Sequence, residues 1–240
     1  MNMFKQLRTY AGAAVLTTLS LSALAQEAAI KKAVEDRIGS GIKVDSVQRA
    51  PMPGLFEIRI GTDIFYSDDK AQYLIMGSIQ DLKTGKNFTQ ERVDGLAIEA
   101  VFSTANKANA LKLVKGNGKR EIAVFEDVNC GFCKKLRPEL DKLTNVTIYT
   151  YLIPILSQDS EVKLRGVWCA KDRNKAYDDW MMRGVVPPAA DERCKVPVDE
   201  VQNLARNLKV TGTPAMFFAS GKRVPGYIDA TQIERNLAAQ

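Results

Sequence analysis

The 240-residue chain contains no histidine. That absence removes the imidazole base, the histidine-dependent triad and the histidine metal ligand, so any catalysis has to run on other side chains. The 34 Lys and Arg against 28 Asp and Glu give a net charge of only +6. No block of basic residues stands out, as a phosphate-tracking surface would show, and nucleic acid is not an expected partner. Beyond residue 25 no apolar run is long enough to span a bilayer. Internal repeats and low-complexity tracts are also absent. Cysteine is scarce, at four residues, and its placement carries most of the information.

The first 25 residues read as a targeting segment. Lys5 and Arg8 form a positive start, Ala11 to Leu24 is uncharged and mostly apolar, and Ala23-Leu24-Ala25 has the small-x-small form of a cleavage site. Thr17, Thr18, Ser20 and Ser22 make the stretch a poor membrane anchor, the competing reading. Cleavage after Ala25 would lower the charge from +6 to +4 and deliver residue 26 onward to an extracytoplasmic space where disulfides persist.

Two of the cysteines form Cys130-Gly131-Phe132-Cys133, between the apolar run Ile122–Phe125 and a helical stretch over Lys134 to Leu143. A cysteine opening a helix faces unpaired N–H groups and the positive end of the helix dipole, both of which favour thiolate. One turn later, a second cysteine can close a small disulfide or expel a substrate bound to the first. The same spacing would also serve half of a four-cysteine zinc site, or two buried thiols with no chemistry. The remaining pair, Cys169 and Cys194, lacks zinc-knuckle spacing. If the Cys-x-x-Cys pairs within itself, 169–194 is left as a structural disulfide. Glu126 and Asp127, just before the motif, read equally as a proton relay and as a solvated strand end.

Periodicity organises the rest. A short amphipathic helix over Ala28–Ile38 precedes strand-like runs at Ile42–Val47, Leu55–Ile60, Ile64–Tyr66, Tyr73–Met76 and Ile79–Leu82. This makes a small α+β domain over 26–89, of a size that commonly needs docking or a second copy for stability. A linker helix covers Gln90 to Asn106, within a linker region of 90–108. Over 109–240 the order is a strand at Ala110–Val114, a hairpin turn at 115–119, a strand at Glu121–Phe125, the redox turn and its helix, kinked at Pro138, and a strand at Val146–Ile153. One helix over Glu161–Arg183 follows, then a helix over Val198–Leu208, a strand at Ala215–Ala219 entered through Thr213-Pro214, and a last helix over Thr231–Ala238. The fold class is α/β: a thioredoxin-like domain behind a small N-terminal α+β domain and a linker helix.

Three stretches, Phe125 to Leu136, Gly212-Thr213-Pro214-Ala215 and Val224-Pro225-Gly226-Tyr227, resemble the DsbC/DsbG family of periplasmic thiol:disulfide isomerases, and the likeness covers nearly the whole mature chain. The resemblance implies a V-shaped homodimer joined through the 26–89 domain, acting on misfolded disulfide-containing proteins and kept reduced by an inner-membrane thiol reductase. It implies Cys130 and Cys133 as the catalytic pair. No cofactor or metal is expected. The resemblance also implies a cis Pro214 beside that pair, and a substrate-binding edge formed by Thr213 and Pro214 with Gly131 and Phe132. Phe132 and Lys134 depart from the tyrosine and histidine often found in the family, which leaves the redox poise open. Two other functions fit the same features: a holdase in which the cysteines matter little, and a disulfide oxidase or reductase.

Overall fold

The structure is a computed structural model that describes residues 11–39 and 41–239, with side chains from residue 24 onward. The chain divides into two compact units, Met1–Val93 and Asp94–Gln240. Helix α1 runs Ala11–Ile38, through the expected cleavage point after Ala25. The first ten positions of the expected leader lie outside the described residues. Among the described residues, no helix is long and apolar enough to cross a membrane.

In the first unit, β1 (Ser46–Arg49), β2 (Phe56–Ile60), β3 (Asp63–Ser67) and β4 (Leu74–Ile75) form an antiparallel meander in the order β1-β2-β3-β4. Ile30 and Val34 of α1 pack on Val44, Val47, Phe56 and Ile58 to make its core. The strand expected at Ile79–Leu82 does not form. The Asp81 carboxylate accepts the N–H groups of Lys83 and Thr84, turning the chain, and only a single Gln80–Asn87 bridge remains. Leu82, read as a strand residue, is 95 % exposed.

Helix α2, Phe88–Phe102, carries the chain from the first unit to the second and ends before Ser103. The Ser103 hydroxyl accepts the Asn106 N–H and starts a new short helix, α3 (Thr104–Lys107).

The second unit is a five-stranded sheet in the order β5-β7-β6-β8-β9, built from β5 (Leu111–Lys115), β6 (Arg120–Glu126), β7 (Val146–Leu152), β8 (Ala215–Phe218) and β9 (Arg223–Pro225). The hairpin expected between β5 and β6 is absent. Both strands pair instead with β7, β5 antiparallel and β6 parallel, so that Lys115 and Arg120 both face Val146. Asn145, at φ 54, enters the gap, and its side chain accepts the N–H of Asn117. The connecting turn thus spans an inserted strand.

Strand β6 is buried on both faces, as a central strand covered by helices must be. Ala123 and Phe125 point into one core with Val101 of α2 and with α7 (Val198–Asn207). Ile122 and Val124 point into the other, against α4 (Gly131–Asp141) and α8 (Ala230–Ala238). Pro138 is accommodated inside α4, where its missing N–H leaves the Lys134 carbonyl without that helical partner. The single helix expected over 161–183 is two, α5 (Gln158–Cys169) and α6 (Arg173–Arg183). The break falls where the Asp172 carboxylate accepts the Lys175 N–H, a capping bond that starts a helix afresh.

Candidate redox site

The turn between β6 and α4 is held by a buried carboxylate. Asp127 is fully enclosed, and its oxygens accept the N–H groups of Asn129 at 2.8 Å, Ile155 at 2.8 Å and Leu156 at 3.0 Å. This ties the turn to the segment that leaves β7. Its carbonyl accepts the Cys130 N–H at 3.0 Å. Cys130 then takes the place a serine or aspartate usually fills at a helix start: its backbone is extended and its sulfur accepts the Cys133 N–H at 3.3 Å. Both sulfurs are free thiols.

The loop before β8 closes the other side. The Thr213–Pro214 peptide bond is cis, and the Thr213 carbonyl lies 3.3 Å from the Cys130 sulfur, within reach of its S–H. The Pro214 carbonyl accepts the Gly226 N–H at 2.7 Å. Gly131 is exposed with open space around it, and Phe132 projects at 59 % exposure beneath the Lys135 ammonium. Cys130 is 6 % exposed and Cys133 entirely buried.

Cys133 lies in an environment that opposes its ionisation. Burial raises its pKa far above the ordinary thiol value, and the neighbouring Glu126 and Cys130 raise it further. Glu126 is itself fully enclosed, and burial raises it to about 7 although the Tyr177 hydroxyl donates to it and the Arg137 guanidinium attracts it. Its second oxygen has no hydrogen-bond partner. Arg137 is in turn held by Asp178 at 2.6 Å. Neither Glu126 nor Asp127 is a solvated strand end: the strand terminates inside the domain, under α5 and α6.

Sequence reasoning missed the supporting groups on those two helices. Trp180 donates its ring N–H to the Val128 carbonyl at 2.6 Å, and the Lys134 and Lys163 ammonium groups lie 4.2 and 4.6 Å from its ring. Tyr177 and Trp180 are three apart on α6 and therefore share a face, a signal visible in the sequence although their target was not.

Cys169 and Cys194 are joined, with Cα atoms 6.1 Å apart, linking the last residue of α5 to the loop before α7. Both pack on the cluster of Val128, Cys130, Cys133, Leu164, Val167 and Trp168. Their bond leaves only two free sulfurs.

A thioredoxin-like sheet with a free Cys-x-x-Cys at a helix start, facing a cis proline, defines a thiol:disulfide oxidoreductase. Comparison with known proteins narrows the class. Residues 107–240 match the thioredoxin-like domain family, and residues 21–90 match the disulfide bond isomerase protein N-terminal domain. The chain is 44 % identical over 212 residues to a probable thiol:disulfide interchange protein DsbC of Bordetella pertussis, covering 88 % of this chain and 74 % of that one. Against the Escherichia coli DsbC, identity is 30 % over 224 residues, covering 89 % and 88 %. A crystal structure of a disulfide interchange protein from Neisseria gonorrhoeae matches with a TM-score of 0.51 and 38 % identity, over 55 % of this chain and 95 % of that one. The chain belongs to the DsbC family.

Proposed function

We propose that the protein is a periplasmic disulfide isomerase that rearranges wrong disulfides through Cys130. The observation that carries this reading is the asymmetry of the two thiols. Cys130 caps a helix beside Thr213, whereas Cys133 is enclosed and held in its neutral form. The Cys130 thiolate attacks one sulfur of a substrate disulfide, forming a mixed disulfide and releasing the other sulfur as a thiolate. If a substrate thiolate then attacks the Cys130-bound sulfur, a new substrate disulfide forms and Cys130 leaves as thiolate, with no net oxidation. If Cys133 attacks first, the substrate leaves reduced and the enzyme is left oxidised. A Cys133 that is slow to lose its proton lengthens the time available for the first exit.

Thr213 and Pro214 provide a backbone edge for an extended substrate, with Gly131 and Phe132 flanking it. Cys169–Cys194 is the structural disulfide. We assign residues 1–25 to a cleaved leader, 26–89 to a dimerisation domain, 90–108 to the linker and 109–240 to the catalytic domain. The edge of the first sheet supports a homodimer: β4 is its last strand, and Tyr73, Leu74, Ile75 and Met76 are all exposed there, Met76 at 80 %. Each time the second exit is taken, the pair must be returned to the dithiol before it can isomerise again, the role of a membrane-bound thiol reductase.

The test is reactivation of a scrambled multi-disulfide protein. Cys133→Ala is expected to accumulate a substrate adduct at Cys130, read by mass spectrometry. An adduct at another cysteine, or full reactivation by Cys130→Ser, overturns the assignment.

A further inference from the structure

On the second unit, the edge strand β9 and helix α8 border a cavity of about 410 Å3 lined by Lys222, Val224, Ile228, Gln232, Arg235 and Asn236. That volume lies within the usual range for small-molecule sites, roughly 300–1,000 Å3. None of the cysteines and no residue of the Thr213–Pro214 loop contributes to it. Residues 232, 235 and 236 share one face of α8, Val224 lies in β9, and Lys222 and Ile228 come just before those elements, so the strand and the helix each turn one face to the same space.

Its chemistry is one-sided, with two cations, two carboxamides, two aliphatic side chains and no acid. Two other basic groups of this unit are occupied. Arg120 pairs with Glu234, and Arg223 donates to the carbonyls of Leu208 and Lys209. The side chains of Lys222 and Arg235 have no ion-pair or hydrogen-bond partner among the described residues. Asn236 is only 9 % exposed, and its carboxamide makes no hydrogen bond among the described residues, its polar atoms remaining open to solvent. The space it borders is this cavity, where a ligand oxygen would take the place of water.

We propose that the cavity binds a small organic carboxylate. Arg235 and Lys222 at the rim meet the charge, the Asn236 amide donates to a carboxylate oxygen from the floor, and Val224 and Ile228 cover the apolar body. Arginine suits this role because its fork matches the two carboxylate oxygens. The site is separate from the redox chemistry and does not depend on it.

The test uses the full-length mature chain, 15N-labelled, with naphthalene-2-carboxylate as probe. Naphthalene-2-carboxamide serves as the neutral isostere and inorganic phosphate as the bare anion. Saturable shifts of the amides around 222–224 and 228–236 are expected with the carboxylate. The carboxamide and phosphate should each bind at least about tenfold more weakly. Arg235→Glu and Lys222→Glu should each weaken the carboxylate by about tenfold or more while leaving thiol exchange unchanged. Asn236→Leu should do the same, and retained exchange would show that it folds. No saturable shift at these residues, equal binding of carboxylate and carboxamide, or wild-type affinity in Arg235→Glu overturns the proposal.

Discussion

The two cysteine pairs pack into one apolar cluster and have opposite chemical states. Cys130 and Cys133 are free, and Cys169 and Cys194 are joined, although all four touch the same group around Val128, Leu164 and Trp168. The local backbone makes the difference. Cys130 occupies a helix N-cap, where its sulfur has an N–H to accept and a carbonyl beside it. Cys169 ends a helix, and its partner, 25 residues away, comes from a loop. A shared apolar environment therefore does not fix a thiol's role; the polar groups within hydrogen-bond reach of the sulfur do.

The sharpest way to break that comparison is to exchange the losses. Cys130→Ser should lower disulfide exchange by about a thousandfold or more. Serine is a good N-cap residue, so the unfolding midpoint should stay level or rise slightly. The double change Cys169→Ser with Cys194→Ser should do the reverse. Removing a 25-residue cross-link costs about 3.5 kcal/mol in the chain-entropy model, while exchange by the molecules that remain folded should persist. Denaturant unfolding and a thiol-exchange assay on both variants separate the outcomes. Loss of exchange in a folded Cys169→Ser, Cys194→Ser protein would mean that the second pair also takes part in the chemistry.

A somewhat smaller effect is expected at Glu126. Its carboxyl ionises near 4.5 in an unfolded chain and at about 7 when enclosed. Between those values the folded chain keeps a proton that the unfolded chain has released, so stability falls as pH rises through this window. Above pH 7 the penalty is complete, of order 3 kcal/mol. Glu126→Gln should therefore flatten the stability profile between about pH 4.5 and 7 and raise stability at alkaline pH. The substitution also removes a negative charge that holds Cys133 neutral, so the mixed disulfide should be released more quickly by Cys133. An unchanged pH profile would show that Glu126 is ionised in the fold at an ordinary pH.

Much of the site was legible because its parts are local. The cysteine spacing, the helix after it and Thr213-Pro214 before a strand are short-range signals, and each is found where the residues suggested. Two of the failures share a cause, which is long-range pairing. Lys115-Gly116-Asn117-Gly118-Lys119 has ordinary hairpin chemistry, and nothing in it records that β7 inserts between the flanking strands. Glu126 and Asp127 looked alike, since the groups that enclose them, the Ile155 N–H and Tyr177 of α6, arrive 28 and 51 residues later. The other misses had local signals: Asp81 turning the chain at Ile79–Leu82, Ser103 ending α2, and a capping Asp172 three residues before Lys175.

The smallest expected effect lies where the two cysteine pairs share a neighbour. Trp180 packs on their common cluster and donates to the Val128 carbonyl, two residues before Cys130. Phenylalanine in its place keeps an aromatic face for Lys134 and Lys163 but removes the donor. Loss of one such bond should cost about 1 kcal/mol. The freed carbonyl lies in the redox turn, which Asp127 still anchors through three N–H bonds, so the turn should loosen without opening. Trp180→Phe is therefore expected to change the alkylation rate of Cys130 by only a few-fold and to leave the Cys169–Cys194 bond intact, as peptide mapping under non-reducing conditions would show. If the Cys130 rate stays fixed while stability falls, Trp180 serves the core and not the thiol, and α6 has no part in setting the two pairs apart.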